Sequence, residues 1–207
     1  AVFTVVQLAV QPALFDQAAN EVTIAVAHSV FNIVCTTILL LPFSKYLVKI
    51  ADKVIKEKAD ELLSKILTDG MTPEQQVNAI YDWIEGHCYY IAEFDKSDYM
   101  QAAYLMMTTN RGDCYGFYAV SRLLFDRMGL PNLTVTRLPN EVRTSNHWWN
   151  MVSLDGGESW YHFDSTPHMT YPPRTCLVTD TFLNEFNLLM PNYYYFDHDS
   201  FPDTPAV

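Results

Sequence analysis

Three residues in the second half of the chain have the types that nucleophilic catalysis needs. Cys114 follows Asn110-Arg111-Gly112-Asp113 and opens a segment of helical period. Val120, Leu123, Leu124 and Met128 mark its buried side, and Gly129 with Pro131 ends it. A thiol at a helix N-terminus feels the partial positive charge of backbone N–H groups that lack helical partners, which favours the thiolate. The same first-turn N–H groups are expected to hold an oxyanion. Asp113 would oppose ionisation if its carboxylate lay close to the sulfur, and a capping role is the expectation for it. His147 opens HWWNMVS (147–153) and Asp164 closes SWYHFD (159–164), two runs that read as strands. Asp155-Gly156-Gly157 between them signals a hairpin. With Asp155 and Gly156 as the two loop residues, Leu154 faces Gly157 and His147 falls directly opposite Asp164, Cβ atoms about 4.5–5.5 Å apart. A turn centred one residue later moves the pair onto a diagonal and keeps the face. A carboxylate beside an imidazole fixes its tautomer and favours the imidazolium, and an imidazole beside a thiol makes a thiolate nucleophile.

These residues need elements to hold them. Thr72-Pro73-Glu74-Gln75 is a helix start, with Thr at the N-cap, Pro at the first helical position and Gln at the capping-box position. Val77, Ile80, Tyr81 and Ile84 follow on one apolar face. After Pro131 the period changes, and LTVTRL (133–138) precedes the two strands already named. Helices first and strands afterwards predict an α+β domain with a mostly antiparallel sheet.

The runs "GDCYGFYAVSRLLFDRMGLP", "NHWWNMV" and "WYHFDSTP" resemble, in order, the three motifs of the transglutaminase-like branch of the papain-like cysteine enzymes. The resemblance spans about residues 60–205. It includes "SDYMQAAYLMMTTNRGDC" and "YYYFDHDSFPDTP", which are similar to bacterial members. It implies a papain-like core, with the nucleophile on a helix N-terminus and an antiparallel sheet carrying His and Asp. It also implies Cys114 as nucleophile, His147 as general base and acid, and Asp164 as orienting carboxylate. The substrate it implies is a protein or peptide amide. Water as acceptor gives a protease or amidase; a lysine amine gives a cross-linking transglutaminase. The family's second oxyanion donor has no motif here; Gln101 and Tyr99 are its nominees, and His162 is expected beside the site rather than as the base. No metal or cofactor is required, and no EF-hand loop points to calcium. A non-catalytic binding or regulatory module is the alternative. Replacement of Cys, His or Asp would signal it, and all three are present.

The other reactive residues read more plainly. Cys35, Cys88 and Cys176 are expected as small buried hydrophobes. His28, His87, His168 and His198 have no matching partners. Trp148, Trp149 and Trp160 are expected in the core and cleft wall, Arg111 in a loop salt bridge, and Tyr193–Tyr195 packed at the domain edge. The four cysteines are far apart with no Cys-x-x-Cys, which argues against a zinc ribbon or a disulfide framework.

Of the 207 residues 49% are apolar and 18% charged, which excludes a disordered chain. The net charge of −11 repels phosphate backbones and argues against nucleic-acid binding. The charge is uneven: residues 1–58 carry five lysines against Asp16, Glu21, Asp52 and Glu57, which leaves −12 for the rest. Two unlike pieces are therefore expected, a hydrophobic helical segment over 1–58 and the transglutaminase-like domain over 59–207. The first residue is Ala rather than Met, as expected of a processed or truncated chain. Residues 22–41, VTIAVAHSVFNIVCTTILLL, carry no formal charge over a length that spans a hydrocarbon core of ~30 Å. No basic region precedes the run, and it is too long for a signal-peptide core. Residues 25–53, with His28, Phe31 and Asn32, resemble the end of a membrane repeat in sodium/phosphate cotransporters. One repeat cannot form a transport path, so the expectation is a membrane tether. The lysines after the run predict a cytoplasmic catalytic domain, whereas the family resemblance implies an extracytoplasmic one.

Overall fold

Residues 21–94, 96, 98–167 and 174–206 are described by the computed structural model. Residues 1–20 of the hydrophobic segment and His168 lie outside them. The chain divides into two compact units, Ala1–Ala51 and Asp52–Val207.

In the first unit, helix α1 (Glu21–Cys35) runs into a π-helical turn (Thr36–Leu40), after which α2 (Leu41–Ile66) begins. Pro42 has no N–H to complete an α-helical bond to residue 38, and the break falls just before it. The single uncharged helix expected over 22–41 is therefore divided. Among the described residues no single helix is long and apolar enough to cross a membrane; the bent pair Ile24–Ile38 and Phe43–Ile66 has the length and composition together.

The second unit is built from helices whose ends are set locally. The C-terminal half of α2 carries Ile55, Ala59, Leu62, Leu63 and Ile66 on one stripe against the core. Helix α3 (Pro73–His87) starts on the expected capping box, with Thr72 accepting from the Gln75 amide and Gln75 accepting from the Thr72 amide. Its buried residues are Val77, Ile80, Tyr81 and Ile84. Helix α4 (Tyr99–Thr109) starts on Asp98 and stops at Asn110, which is left-handed at φ 56°. Helix α5 (Cys114–Met128) starts on Asp113 and stops at Gly129, left-handed at φ 73°. A short parallel ladder of β1 (Tyr89–Tyr90) and β2 (Arg111–Gly112) ties the residues before α5 to the end of α3.

The strands form an antiparallel meander in the order β3 (Asn132–Thr136), β4 (Trp148–Ser153), β5 (Trp160–Phe163) and β6 (Cys176–Val178). Alternation gives the sheet two apolar faces. Val152 and Phe163 join the helical core of α2–α5. Val135, Trp149 and Met151 join a second core with Leu183, Phe186, Tyr194 and Phe196, supplied by α6 (Asp180–Leu189) and the C-terminal tail. The unit is thus α+β, with a sheet between a helical layer and a C-terminal cover.

Phe163 is fully buried where β5 meets the helices, edge-on to Tyr81 at 5.4 Å and to Phe125 at 5.0 Å between centroids. Phe163→Ala removes both contacts and leaves a cavity, so we expect a loss of about 3–5 kcal/mol in urea unfolding.

Candidate active site

The β4–β5 loop is longer than the two-residue turn and comprises residues 154–159. The Asp155 carboxylate closes it, accepting from the Ser153 hydroxyl and from the amides of Glu158 and Ser159. The register accordingly pairs Asn150 with Phe163 and Met151 with His162. Continued outward, it sets Asp164 opposite Trp149, so His147 lies on the diagonal and on the same face. The directly opposite pairing is corrected, and the shared face is what the structure has.

From the diagonal the two side chains still meet. His147 Nε2 lies 2.7 Å from Asp164 Oδ2. Asp164 Oδ1 accepts the Thr166 amide at 2.9 Å, and Oδ2 also accepts the Tyr194 hydroxyl at 2.8 Å. With Nε2 committed, Nδ1 is the ring nitrogen left to serve Cys114, which is among the groups that act on the imidazole. The sulfur is 4.0 Å from the Asn146 carbonyl oxygen. Cys114, His147 and Asp164 are 8%, 2% and 3% exposed, so their charges interact in a nearly dry setting. Burial, the largest single influence, pushes the His147 imidazole down. The charge and hydrogen bond of Asp164, with the influence of Cys114, outweigh it and hold the imidazole up at about 9.

The thiol sits at the first residue of α5. Asp113 Oδ1 caps the helix by accepting from the Tyr115 amide at 2.9 Å and the Gly116 amide at 3.3 Å. Those two first-turn amides are therefore spent on the cap, and the Cys114 amide is the one the cap leaves out. The expectation that the whole first turn serves an oxyanion is corrected accordingly. Asp113 Oδ2 pairs with Lys96 Nζ at 2.8 Å, so the negative charge beside the thiol is matched. Phe94 crosses the same turn: a Cβ on Gly116 would stand 3.0 Å from its ring, which only glycine avoids.

Of the nominated second oxyanion donors, neither Tyr99 nor Gln101 faces the thiol. The Tyr99 hydroxyl donates to Asp126 at 3.3 Å and its ring lies under Arg122, while Gln101 is on the exposed side of α4. Like Tyr193, Tyr90 at the end of β1 is near enough to Cys114 to feel its charge. Burial and then the negative charges of Cys114 and Asp113 push its ionisation up, so it stays a donor. His162 points away from Cys114. It accepts from Trp149 Nε1 at 3.0 Å on Nδ1 and meets Asp180 at 3.1 Å through Nε2.

The sequence missed the groups that aim His147. Arg137 is 5% exposed and donates from Nε to the Ser145 carbonyl at 3.1 Å and from Nη1 to the Tyr193 carbonyl at 3.3 Å. Its amide donates to the His147 carbonyl at 2.8 Å. The loop that delivers His147 is thereby pinned on both sides. Tyr193 and Tyr194, expected only as edge packing, lie 4.9 Å and 5.9 Å from the imidazole centroid. Arg111 is exposed, and among the described residues it has no ion pair, contrary to expectation. Trp149 is core, and Trp148 forms wall between Tyr115 and Lys96. All four cysteines are free, and burial pushes Cys88 and Cys176 up to about 12, as befits inert thiols. Among the described residues no group of three or more His, Cys, Asp or Glu could hold a metal ion.

A mixed helix-and-sheet domain of papain-like type, with a cysteine opening a helix beside a buried histidine–aspartate pair, defines the class. The transglutaminase-like superfamily model matches residues 60–165, and the chain belongs to that superfamily. Kyphoscoliosis peptidase from Homo sapiens is 27% identical over 187 residues, which is 79% of this chain and 26% of that protein; the chain thus spans about a quarter of that relative's length. Two solved structures are similar more loosely. A Cytophaga hutchinsonii protein described as a proposed cysteine protease has a TM-score of 0.45 and 23% identity over 54% of this chain and 37% of its own. The periplasmic domain of TgpA from Pseudomonas aeruginosa has a TM-score of 0.40 and 16% identity over 55% of this chain and 44% of its own. Family membership supports a cysteine-based enzymatic function.

The elevated His147 has a consequence for stability. A histidine near 6.5 when unfolded and about 9 when folded keeps a proton that the unfolded chain has lost across that window. Its stabilisation is therefore complete below about pH 6.5 and is lost as the pH rises through about 9. We expect urea unfolding of the parent to weaken by on the order of a few kcal/mol from pH 6 to 9. In Asp164→Asn, where only Cys114 is left to oppose burial, the same comparison should show that contribution shrink or vanish.

Proposed function

We propose that the chain is a cysteine-dependent acyl-transfer enzyme acting on protein or peptide amides through Cys114, His147 and Asp164. The observation that carries the reading is the convergence of thiol, imidazole and carboxylate, with the imidazole held protonated. The Cys114 thiolate attacks the amide carbonyl carbon and a C–S bond forms. The developing oxyanion is met by the Cys114 amide, with the Tyr90 hydroxyl as its side-chain partner. His147 gives its Nδ1 proton to the leaving amine, the C–N bond breaks, and an acyl-enzyme remains. The incoming water or primary amine then loses a proton to the same nitrogen as it attacks, and the thiolate leaves. Hydrolysis and amine cross-linking share every one of these steps until the acceptor arrives.

Incubation with a glutamine peptide tests the reading. Ammonia release reports attack on the side-chain amide, new amino termini report attack on the peptide bond, and incorporation of an added amine separates transfer from hydrolysis. Cys114→Ala should lower product formation at least about 10³-fold, since only binding and the oxyanion donors remain. Equal product from parent and variant would sink the proposal.

We read the segment over 22–41 as a membrane tether, supported by the exposed apolar side chains of Val22, Ile24, Val26, Val30 and Ile33. The full chain should float with phosphatidylcholine vesicles and Ile24→Asp/Ile33→Asp should not; equal flotation would remove the tether. Which side of a membrane the catalytic domain occupies is open to protease accessibility on intact cells.

A further inference from the structure

Asp164 Oδ2 is shared by two donors. His147 Nε2 lies 2.7 Å from it, and the Tyr194 hydroxyl donates to the same oxygen at 2.8 Å. We propose that Tyr194 is a positioning residue of the site: its hydroxyl fixes the direction of the Asp164 carboxylate and draws off part of its charge, limiting how tightly the imidazolium proton is held. This rests on the reading of Cys114, His147 and Asp164 as the working triad.

Three features support a built contact. Tyr194 is 1% exposed, and burial followed by the Asp164 charge pushes its ionisation well up, so the phenol remains a donor. Its backbone is held from both sides by one side chain. Asn187 Oδ1 accepts the Tyr194 amide at 2.9 Å, and Asn187 Nδ2 donates to the Tyr194 carbonyl at 3.2 Å. Its ring is edge-on to Trp149 at 5.1 Å and against Phe186 at 5.3 Å, which packs the phenol on two sides. Tyr194 is brought to the site by the C-terminal segment that covers the sheet. The carboxylate is thus held by Thr166 on one oxygen and by Tyr194 and His147 on the other, all within a nearly dry site.

The charge argument gives a sign. A neutral donor on Oδ2 weakens the pull of that oxygen on the imidazolium. Besides Asp164, the titratable groups around His147 are Cys114, Tyr193 and Tyr194, with Arg137 and Tyr90 within reach of Cys114. The titration of the His147 ring is best followed by NMR in full-length Cys114→Ala, which removes the coupled thiol. Adding Tyr194→Phe, which keeps the ring and loses only the hydroxyl, should raise the His147 midpoint by about half a pH unit or more. In the enzyme with Cys114 intact the same change should lower kcat about tenfold or more with KM little moved. Tyr195→Phe, at a half-exposed neighbour, should change neither. Site-specific 3-fluorotyrosine at 194 is nearly isosteric and a stronger donor, so it should move the midpoint down. It also keeps the question answerable if Tyr194→Phe does not fold. An unmoved midpoint in a folded Tyr194→Phe protein, or a rise with fluorotyrosine, would overturn the proposal. The titration needs no substrate, so it stands or falls apart from the acyl-transfer assay.

Discussion

A charged imidazole and a carboxylate are buried together at the end of the sheet, and the rest of the unit is arranged so that this is tolerable. Taking either ion out of water costs several kcal/mol unless its polar atoms find partners. Asp164 has them on both oxygens, from the Thr166 amide, the Tyr194 hydroxyl and His147. Those partners come from three places in the sequence, so the end of β5, the loop into β4 and the C-terminal segment must meet at one point. The Arg137 contacts to Ser145, Tyr193 and His147 hold that meeting together. The two-sided sheet follows from the same need. Helices cover one face and bring Cys114; α6 and the tail cover the other and bring Tyr194.

The Cys114 end solves the reverse problem. A helix N-terminus favours a thiolate through unpaired amides, yet a stable helix wants a carboxylate cap there, and that carboxylate would repel the thiolate. Asp113 serves as the cap, and Lys96 holds its second oxygen at 2.8 Å. The ion pair preserves the helix start without leaving a bare negative charge beside the sulfur.

What could be read in the sequence was what local chemistry decides. The capping box at Thr72, the start at Cys114 and the stop at Gly129 are set within a few residues, and all three stand as expected. The shared face of His147 and Asp164 was legible because a strand alternates with period two. The sequence left two registers open, and the diagonal one holds, because Asp155 closes a six-residue loop with its side chain rather than a two-residue turn. Gln101 and Tyr99 failed for a question of phase: α4 turns Ala102, Ala103, Met106 and Met107 inward and leaves the nominated pair elsewhere. Tyr90, Arg137 and Tyr194 reach the site over long separations in sequence, and their types alone do not distinguish them from any packed aromatic or surface cation.

The two histidines on the sheet face show how environment, rather than residue type or facing, assigns the chemistry. His147 and His162 each sit by an aspartate and are almost fully buried. For His162, burial is the leading influence and lowers the imidazole. Its Nδ1 accepts the Trp149 indole N–H, so a neutral ring must carry its proton on Nε2 and give it to Asp180. Asp180 in turn accepts from the Thr204 hydroxyl and amide, which fastens the tail. Both nitrogens of His162 are thus consumed in holding the fold, and none is free to exchange a proton with a substrate. His147 spends one nitrogen on Asp164 and has, among the described residues, no second side-chain hydrogen bond of that kind, and that uncommitted edge is what the proposed role of base requires.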